Sequence, residues 1–363
     1  MEYLKVNCDS GKYDVYVGHG NRRQLNEILE NEYLERRILI VTDNEIAKIY
    51  LDEVIEILKE HEVNYAIIPA GEKSKSIETM KYIYEKLLEN DYGRKSLILS
   101  LGGGVVADIA GFVSSTYMRG IPYIQVPTTI ISQVDSSIGG KVSINFNEYK
   151  NISGAYYHPK SVIIDIEFLK TLSDREYYSG ISEIIKHSLI EDYEFFRELV
   201  DNKELIIGRD LKYMEKILIK SLNIKKTIVE MDERDYGIRR ILNFGHSIGH
   251  GLESIGLFEK YTHGESIALG IIYETLLSFE MGLIKEAYCK EILDSLLWIV
   301  KPERYKDEDI ALFYRVLEKD KNKLGKDMMF ILPTERGRVG IFKNIERAKI
   351  TKLLKNGHPF LDI

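Results

Sequence analysis

The chain has 363 residues, 44% of them hydrophobic and 29% charged, with a formal net charge of −7. This is the composition of a folded protein with room for two domains. The acidic balance argues against a general nucleic-acid binder, although a few converging lysines can still make an anion site inside a cleft. Only Cys8 and Cys289 occur, so neither a disulfide framework nor a cysteine-based zinc site is expected. No apolar run is long enough to span a bilayer, and Met1-Glu2-Tyr3-Leu4-Lys5 lacks a signal-peptide pattern, which makes a cytoplasmic enzyme the expectation.

In chain order, residues 13–18 alternate with period two and read as an added strand near a sheet edge. Residues 37–42 read as a buried strand, 45–59 as a helix, 65–68 as a second strand, 77–89 as a second helix and 96–101 as a third strand. Strand, helix, strand, helix, strand predicts a parallel sheet covered by helices. Gly102-Gly103-Gly104 follows the third strand and opens a helix over 105–117. Glycines at such a turn let backbone N–H groups approach an anion, so phosphate or pyrophosphate is the expected guest, with a plain tight turn as the alternative. Asp43, at the end of the first of these strands, can accept from ribose hydroxyls or cap the helix beside it, and residue type favours the cap.

Residues 125–141 are dense in hydroxyls and end in Gly139-Gly140-Lys141, and Lys150-Asn151 lies in a further polar loop. Loops rich in directed polar groups often carry function. After Ile163-Ile164-Asp165 the pattern changes. Helical periodicity covers roughly 175–190, 214–232, 241–255, 265–281 and 285–300. The expected organisation is an α/β domain over 1–172 followed by a helical domain over 173–363, with the cleft between them as the natural place for a ligand.

Leu242-Asn243-Phe244-Gly245-His246-Ser247-Ile248-Gly249-His250 places two histidines four residues apart, on one face of a helix. Such a pair can be two metal ligands, a ligand and a proton carrier, or polar residues where glycines allow close packing. A third histidine follows in Thr262-His263-Gly264-Glu265.

Five motifs in order, at residues 102–108, 126–141, 179–186, 242–250 and 263–265, make the chain resemble the 3-dehydroquinate synthases of the sugar-phosphate cyclase family over nearly its whole length. The resemblance implies a Rossmann-like NAD-binding domain followed by a C-terminal helical domain that holds zinc or cobalt, in a homodimer of the shikimate pathway. Glu183, His246 and His263 would be the metal ligands, which gives His250 the proton-transfer or hydrogen-bonding role. Lys141, Asp135, Lys186, Lys225 and Asn243 match catalytic positions. Lys150, Asn151, Arg239 and Lys321 match substrate-binding positions, as does Arg119, reaching the phosphate across the dimer interface. For NAD the matched positions are Asp43, Glu72, Lys75, Gly103, Gly104, Asp108, Thr128, Thr129, Phe168, Thr171 and Leu172.

The implied reaction takes a seven-carbon keto-acid phosphate to a carbocycle. A hydroxyl is oxidised by NAD, phosphate is eliminated, the ketone is reduced again, and the ring opens and recloses by an aldol step without net redox change. The chain departs from the family pattern at Asn322, where a second lysine is usual, and at Ser153 and Ser182, where apolar residues are. Cyclases acting on glucose 6-phosphate or sedoheptulose 7-phosphate are disfavoured because their substrates lack the carboxylate that Arg239 suits. A metal-dependent glycerol or alcohol dehydrogenase would share the glycine turn but not the 126–141 motif or Glu183. A non-enzymatic binding protein would not need the clustered lysines.

Overall fold

The computed structural model describes residues 2–32, 37–147, 149–256, 260–318 and 328–361. They form two compact units, Met1–Leu172 with Arg209–Arg234 and Ser173–Gly208 with Asp235–Ile363.

The first unit is built on a seven-stranded sheet. Its strands are β1 (Glu2–Cys8), β2 (Gly11–Gly18), β3 (Arg37–Asp43), β4 (Glu62–Ile68), β5 (Leu97–Gly102), β6 (Tyr123–Pro127) and β9 (Ser161–Asp165), in the order β1-β2-β9-β6-β5-β3-β4. Only the β1–β2 pair is antiparallel. The central strands are largely apolar because helices cover both faces, and successive side chains of one strand enter opposite layers. Leu39 and Val41 of β3 join Ile83, Leu87, Val106, Ile109 and Val113 on one side, while Ile38 and Ile40 join Leu25, Tyr50, Val54 and Leu58 on the other.

The expected helices at 45–59, 77–89 and 105–117 are found at 44–57, with a π turn at Ala47–Leu51, and at Ile77–Glu89 and Gly104–Thr116. The strand over 13–18 is β2, but β1 lies outside it and forms the true edge. With only Val6 and Cys8 buried in β1, its apolar signal is weak. Two loop expectations are corrected. Residues 125–141 include a π turn, Ser132–Ser136, whose first three residues are buried: Ser132 and Thr129 cap one another, and the Gln133 amide donates to the Pro127 and Asp165 carbonyls. Lys150 and Asn151 lie in strand β8 (Tyr149–Tyr156), paired antiparallel with β7 (Lys141–Phe146), whose Val142 and Ile144 are buried against the sheet-covering helix layer.

The domain expectation is also corrected at one place. The helix Leu211–Met231 belongs to the first unit, packing on β1, β2, the π turn Ser132–Ser136 and the 3-10 turn Ile166–Lys170. Its apolar stripe predicts a buried face but not the layer that buries it. Just beyond it, Glu233 accepts from the Ser10 N–H at 3.0 Å, from the Ser10 hydroxyl, and from the His158 ring at 3.0 Å. Burial alone would raise this carboxyl, but those hydrogen bonds outweigh it and hold the group down at about 2. A depressed carboxyl adds stability above its unfolded value that is lost as pH falls toward its folded value. Glu233→Gln is therefore expected to lose about 1–3 kcal/mol less stability than the parent between about pH 6 and about pH 3, measured by urea unfolding.

The second unit contains the helices Asp174–Glu191, Tyr193–Asp201, His246–Ile255, His263–Glu280, Glu286–Leu296, Asp307–Leu317 and Arg347–Asn356 with the hairpin β10 (Met329–Glu335) and β11 (Arg338–Lys343). The single helix expected over 241–255 is two pieces: a 3-10 helix Ile238–Asn243, then a break at Gly245 with φ 80°, then His246–Ile255. Among the described residues no helix is long and apolar enough to cross a membrane.

Candidate active site

In the first unit the residues matched to NAD gather at the carboxyl ends of the parallel strands, where open α/β sheets bind ligands. Asp43 ends β3, Glu72 and Lys75 follow β4, Gly103 and Gly104 follow β5, Thr128 and Thr129 follow β6, and Phe168, Thr171 and Leu172 follow β9. Gly102 pairs with Pro127 across the β5–β6 ladder, which sets the glycine turn beside the two threonines. Gly103 is the N-cap of Gly104–Thr116, and no side chain caps that helix. A Cβ on Gly103 would lie 3.3 Å from the Thr129 methyl, so a larger side chain would fill the cradle. The buried Thr128 hydroxyl has no hydrogen-bond partner among the described residues. An open helix N-terminus, a glycine floor and an orphaned hydroxyl fit a bound pyrophosphate. Asp43 Oδ1 accepts from the Glu45 and Ile46 N–H groups, each at 2.9 Å, and so acts as the cap its residue type suggested. Phe168 packs edge-on to Tyr50, whose hydroxyl lies 2.7 Å from Thr171 Oγ1, and the Leu172 carbonyl accepts from Arg209 at 2.9 Å.

A polar network continues from these strand ends. Buried Lys75 donates to Asp108 and to Asn151 Oδ1. Asn151, with φ 55°, is held by Ser143 and by Asn145, and Asn145 donates to Glu72 at 2.8 Å. Lys150 Nζ stands 4.0 Å from Glu72. Ser143 and Asn145 were not singled out in the sequence; their only signal is that they alternate with apolar residues in a hairpin strand. Lys225, 90 positions away in sequence, donates to both the main chain and the carboxylate of Asp135. Lys141 begins β7 with an exposed side chain. Arg119 is exposed in a run of three positive-φ residues, Met118 to Gly120. A second cluster, Cys8, His158 and Glu233, also brings donor atoms within 4.8 Å. Both of its Glu233 oxygens already accept hydrogen bonds, however.

In the second unit, Glu183, His246 and His263 each bring a ligand atom within 4.8 Å of the other two. Three helices converge to do this, and small residues permit it. A Cβ on Gly264 would stand 1.9 Å from the Ser179 carbonyl, so the start of His263–Glu280 lies against Asp174–Glu191, pinned by Ser179 Oγ to Gly264 N and Thr262 Oγ1 at 3.1 and 2.9 Å. A Cβ on Gly270 would lie 1.8 Å from the Gly245 carbonyl, which fixes His246–Ile255 equally closely. Glu183 and Lys186 are buried and ion-paired, and neither Glu183 oxygen has a well-directed hydrogen bond among the described residues. A buried carboxylate with two imidazoles is a donor set suited to zinc or cobalt, and it leaves coordination positions open.

His250 is one turn beyond His246, with ring centroids 5.2 Å apart, and it lies 6.1 Å from His263. With Glu253 and His263 it forms an overlapping triad. The motif spacing thus correctly placed both histidines on one face, and convergence with Glu183 distinguishes His246. Arg239 is 3% exposed on the 3-10 helix that ends at Asn243, just before these histidines. Lys321 lies outside the described residues.

Residues 65–179 match the family described as 3-dehydroquinate synthase N-terminal, and residues 180–323 match 3-dehydroquinate synthase C-terminal. The chain belongs to the 3-dehydroquinate synthase family. A 3-dehydroquinate synthase of Dictyoglomus turgidum is 40% identical over 364 residues, covering 99% of both chains, and one of a Thermoanaerobacter species is 37% identical over 357 residues, covering 98% of this chain and 100% of its own. Among solved structures, 2-epi-5-epi-valiolone synthase from Streptomyces hygroscopicus with NAD⁺ and Zn²⁺ bound aligns with TM-score 0.83 at 28% identity, covering 93% of this chain and 94% of that one. A 2-deoxy-scyllo-inosose synthase complexed with carbaglucose-6-phosphate, NAD⁺ and Co²⁺ aligns with TM-score 0.86 at 21% identity, covering 98% and 100%, and shares the fold. The expected fold class, a parallel-sheet α/β domain with a helical one, is the one found here and is shared with these two solved structures.

Proposed function

We propose that the chain converts 3-deoxy-D-arabino-heptulosonate 7-phosphate to 3-dehydroquinate and phosphate, as a cytoplasmic homodimer using NAD and zinc or cobalt. The observation that carries this reading is the convergence of Glu183, His246 and His263 in a chain whose buried cations include Arg239 and Lys186.

In this reading Glu183, His246 and His263 hold the divalent metal, and Gly103, Gly104, Thr128 and Thr129 receive the pyrophosphate of NAD. When bound, NAD takes up and returns a hydride, and the metal polarises the oxygen at the carbon being oxidised. The chain's residues bind, orient and move protons. Arg239 pairs its planar fork with the substrate carboxylate. Asn151 and Lys150 bind substrate, with Asn151 held in place by Lys75, Ser143 and Asn145. Lys141, Lys186, Lys225 and Asn243 are assigned to the polyanion by their match to the family's catalytic positions, Asp135 holds Lys225 in place, and His250 carries the proton traffic of the elimination and aldol steps. Arg119 reaches the phosphate of the partner protomer, and Lys321 adds a further cation.

The substrate assignment is tested by supplying NAD and Co²⁺ with each of three sugar phosphates and measuring phosphate. Release from the keto-acid phosphate is expected. Release only from sedoheptulose 7-phosphate or glucose 6-phosphate would overturn the assignment. For the nucleotide half, Gly103→Val is expected to weaken NAD binding about 10-fold or more by filling the cradle, while retaining the metal; calorimetric titration of NAD and metal analysis check it.

A further inference from the structure

The helix that begins at His246 lacks a cap of its own. Its N-cap is Gly245 in the left-handed region, and no side chain of its own segment bonds its first turn. The reason lies in the packing. The Gly245 and Gly249 backbones press on Gly270, Ser266 and Ile267 of the neighbouring helix so closely that any Cβ would meet backbone within 2.8 Å. Four free N–H groups in a buried helix start are costly, so something else must satisfy them.

Glu274 does so from the neighbouring helix, His263–Glu280. It is fully buried, and its carboxyl oxygens accept from Gly245 N at 2.7 Å and from Ile248 N at 3.3 Å, with the Ser247 N–H also directed at them. No basic side chain among the described residues pairs with it; burial pushes its carboxyl up to about 8, and the backbone N–H groups of the helix N-terminus pull the other way without cancelling that rise. Residues 263, 267, 270 and 274 fall on one face of their helix. That face presents His263 at one end, the glycine contact in the middle, and Glu274 where the other helix starts.

We propose that Glu274 is a positioning residue for the metal centre: by bonding the first turn of His246–Ile255, it fixes where the His246 ring stands relative to His263 and Glu183. The inference rests on the metal-ligand reading above. It acts through the backbone on either side of His246, so it alters the geometry of a ligand without touching the ion.

The test uses the parent, Glu274→Gln, Glu274→Asp and His246→Ala as metal-free full-length proteins. Each is titrated with Co²⁺ while the visible absorption band is recorded, and separately with NAD. The glutamine variant keeps the shape but turns an amide N–H toward N–H donors. Its Co²⁺ affinity is expected to fall about 10- to 100-fold with a shifted band, while NAD affinity and the far-UV circular dichroism spectrum stay at parent values. The aspartate variant, with the carboxyl group retained but its oxygens drawn back, should fall between. Parent-like affinity and band in a folded Glu274→Gln would overturn the proposal, as long as His246→Ala has lost the ion. If the glutamine variant does not fold, the aspartate variant decides by the same band. A parent that binds no Co²⁺, or a His246→Ala that still binds it, would overturn the metal-ligand reading and this proposal with it.

Discussion

His246→Ala is expected to lose its metal ion and its turnover together, whereas His250→Ala keeps the ion and turns over about 10²- to 10⁴-fold more slowly. The two residues share a helix face, and their rings are 5.2 Å apart, so spacing does not separate them. Convergence does: His246 comes together with buried Glu183 and with His263, while His250 is grouped with Glu253 and His263. An ion in the first triad would meet a buried carboxylate whose oxygens have no well-directed hydrogen bond among the described residues, although Glu183 is ion-paired with Lys186. Metal analysis of the two purified variants, beside phosphate-release rates, checks the division. Equal metal loss in both would return His250 to the ligand set.

Arg239→Met is expected to lower kcat/KM for the keto-acid phosphate about 10³-fold or more, chiefly by leaving the substrate carboxylate without a partner. Arg239 is buried, so water cannot replace it cheaply. Arg239→Lys retains the charge but not the two parallel donors, and should recover only part of the loss. The same Met variant should lose most of its preference over sedoheptulose 7-phosphate, which steady-state kinetics on both substrates would measure. An unchanged preference would remove Arg239 from the substrate carboxylate.

Much of this organisation is legible in the sequence because its signals are local. β3 and β5 are built on short apolar runs, residues 38–41 and 97–99. The glycine turn sits where a strand must become a helix, and Asp43 caps as its residue type and place suggest. What is not legible depends on partners distant in the chain. The stripe of Leu211–Met231 marks it as amphipathic, yet only the folded chain places it with the sheet unit. Lys225 and Asp135 are each marked by their match to the family motifs, yet their pairing across 90 positions of chain appears only in the folded protein. The hairpin carrying Asn151 reads as loop because its polar positions outnumber its apolar ones. Glu274 has a faint local mark, the lone charged residue in the stretch 271–277, but its meaning comes from the glycine contact that leaves the neighbouring helix uncapped.

The central claim is that oxidation here is transient, completed by returning the hydride to the same substrate. It is tested most directly by following phosphate, 3-dehydroquinate and NADH absorbance together, with limiting NAD and excess 3-deoxy-D-arabino-heptulosonate 7-phosphate. The account predicts phosphate and carbocyclic product in equal amounts, many turnovers for each NAD, and no accumulation of NADH. One NADH formed for each substrate consumed, with the phosphate still attached, would contradict it and assign the chain to dehydrogenase chemistry.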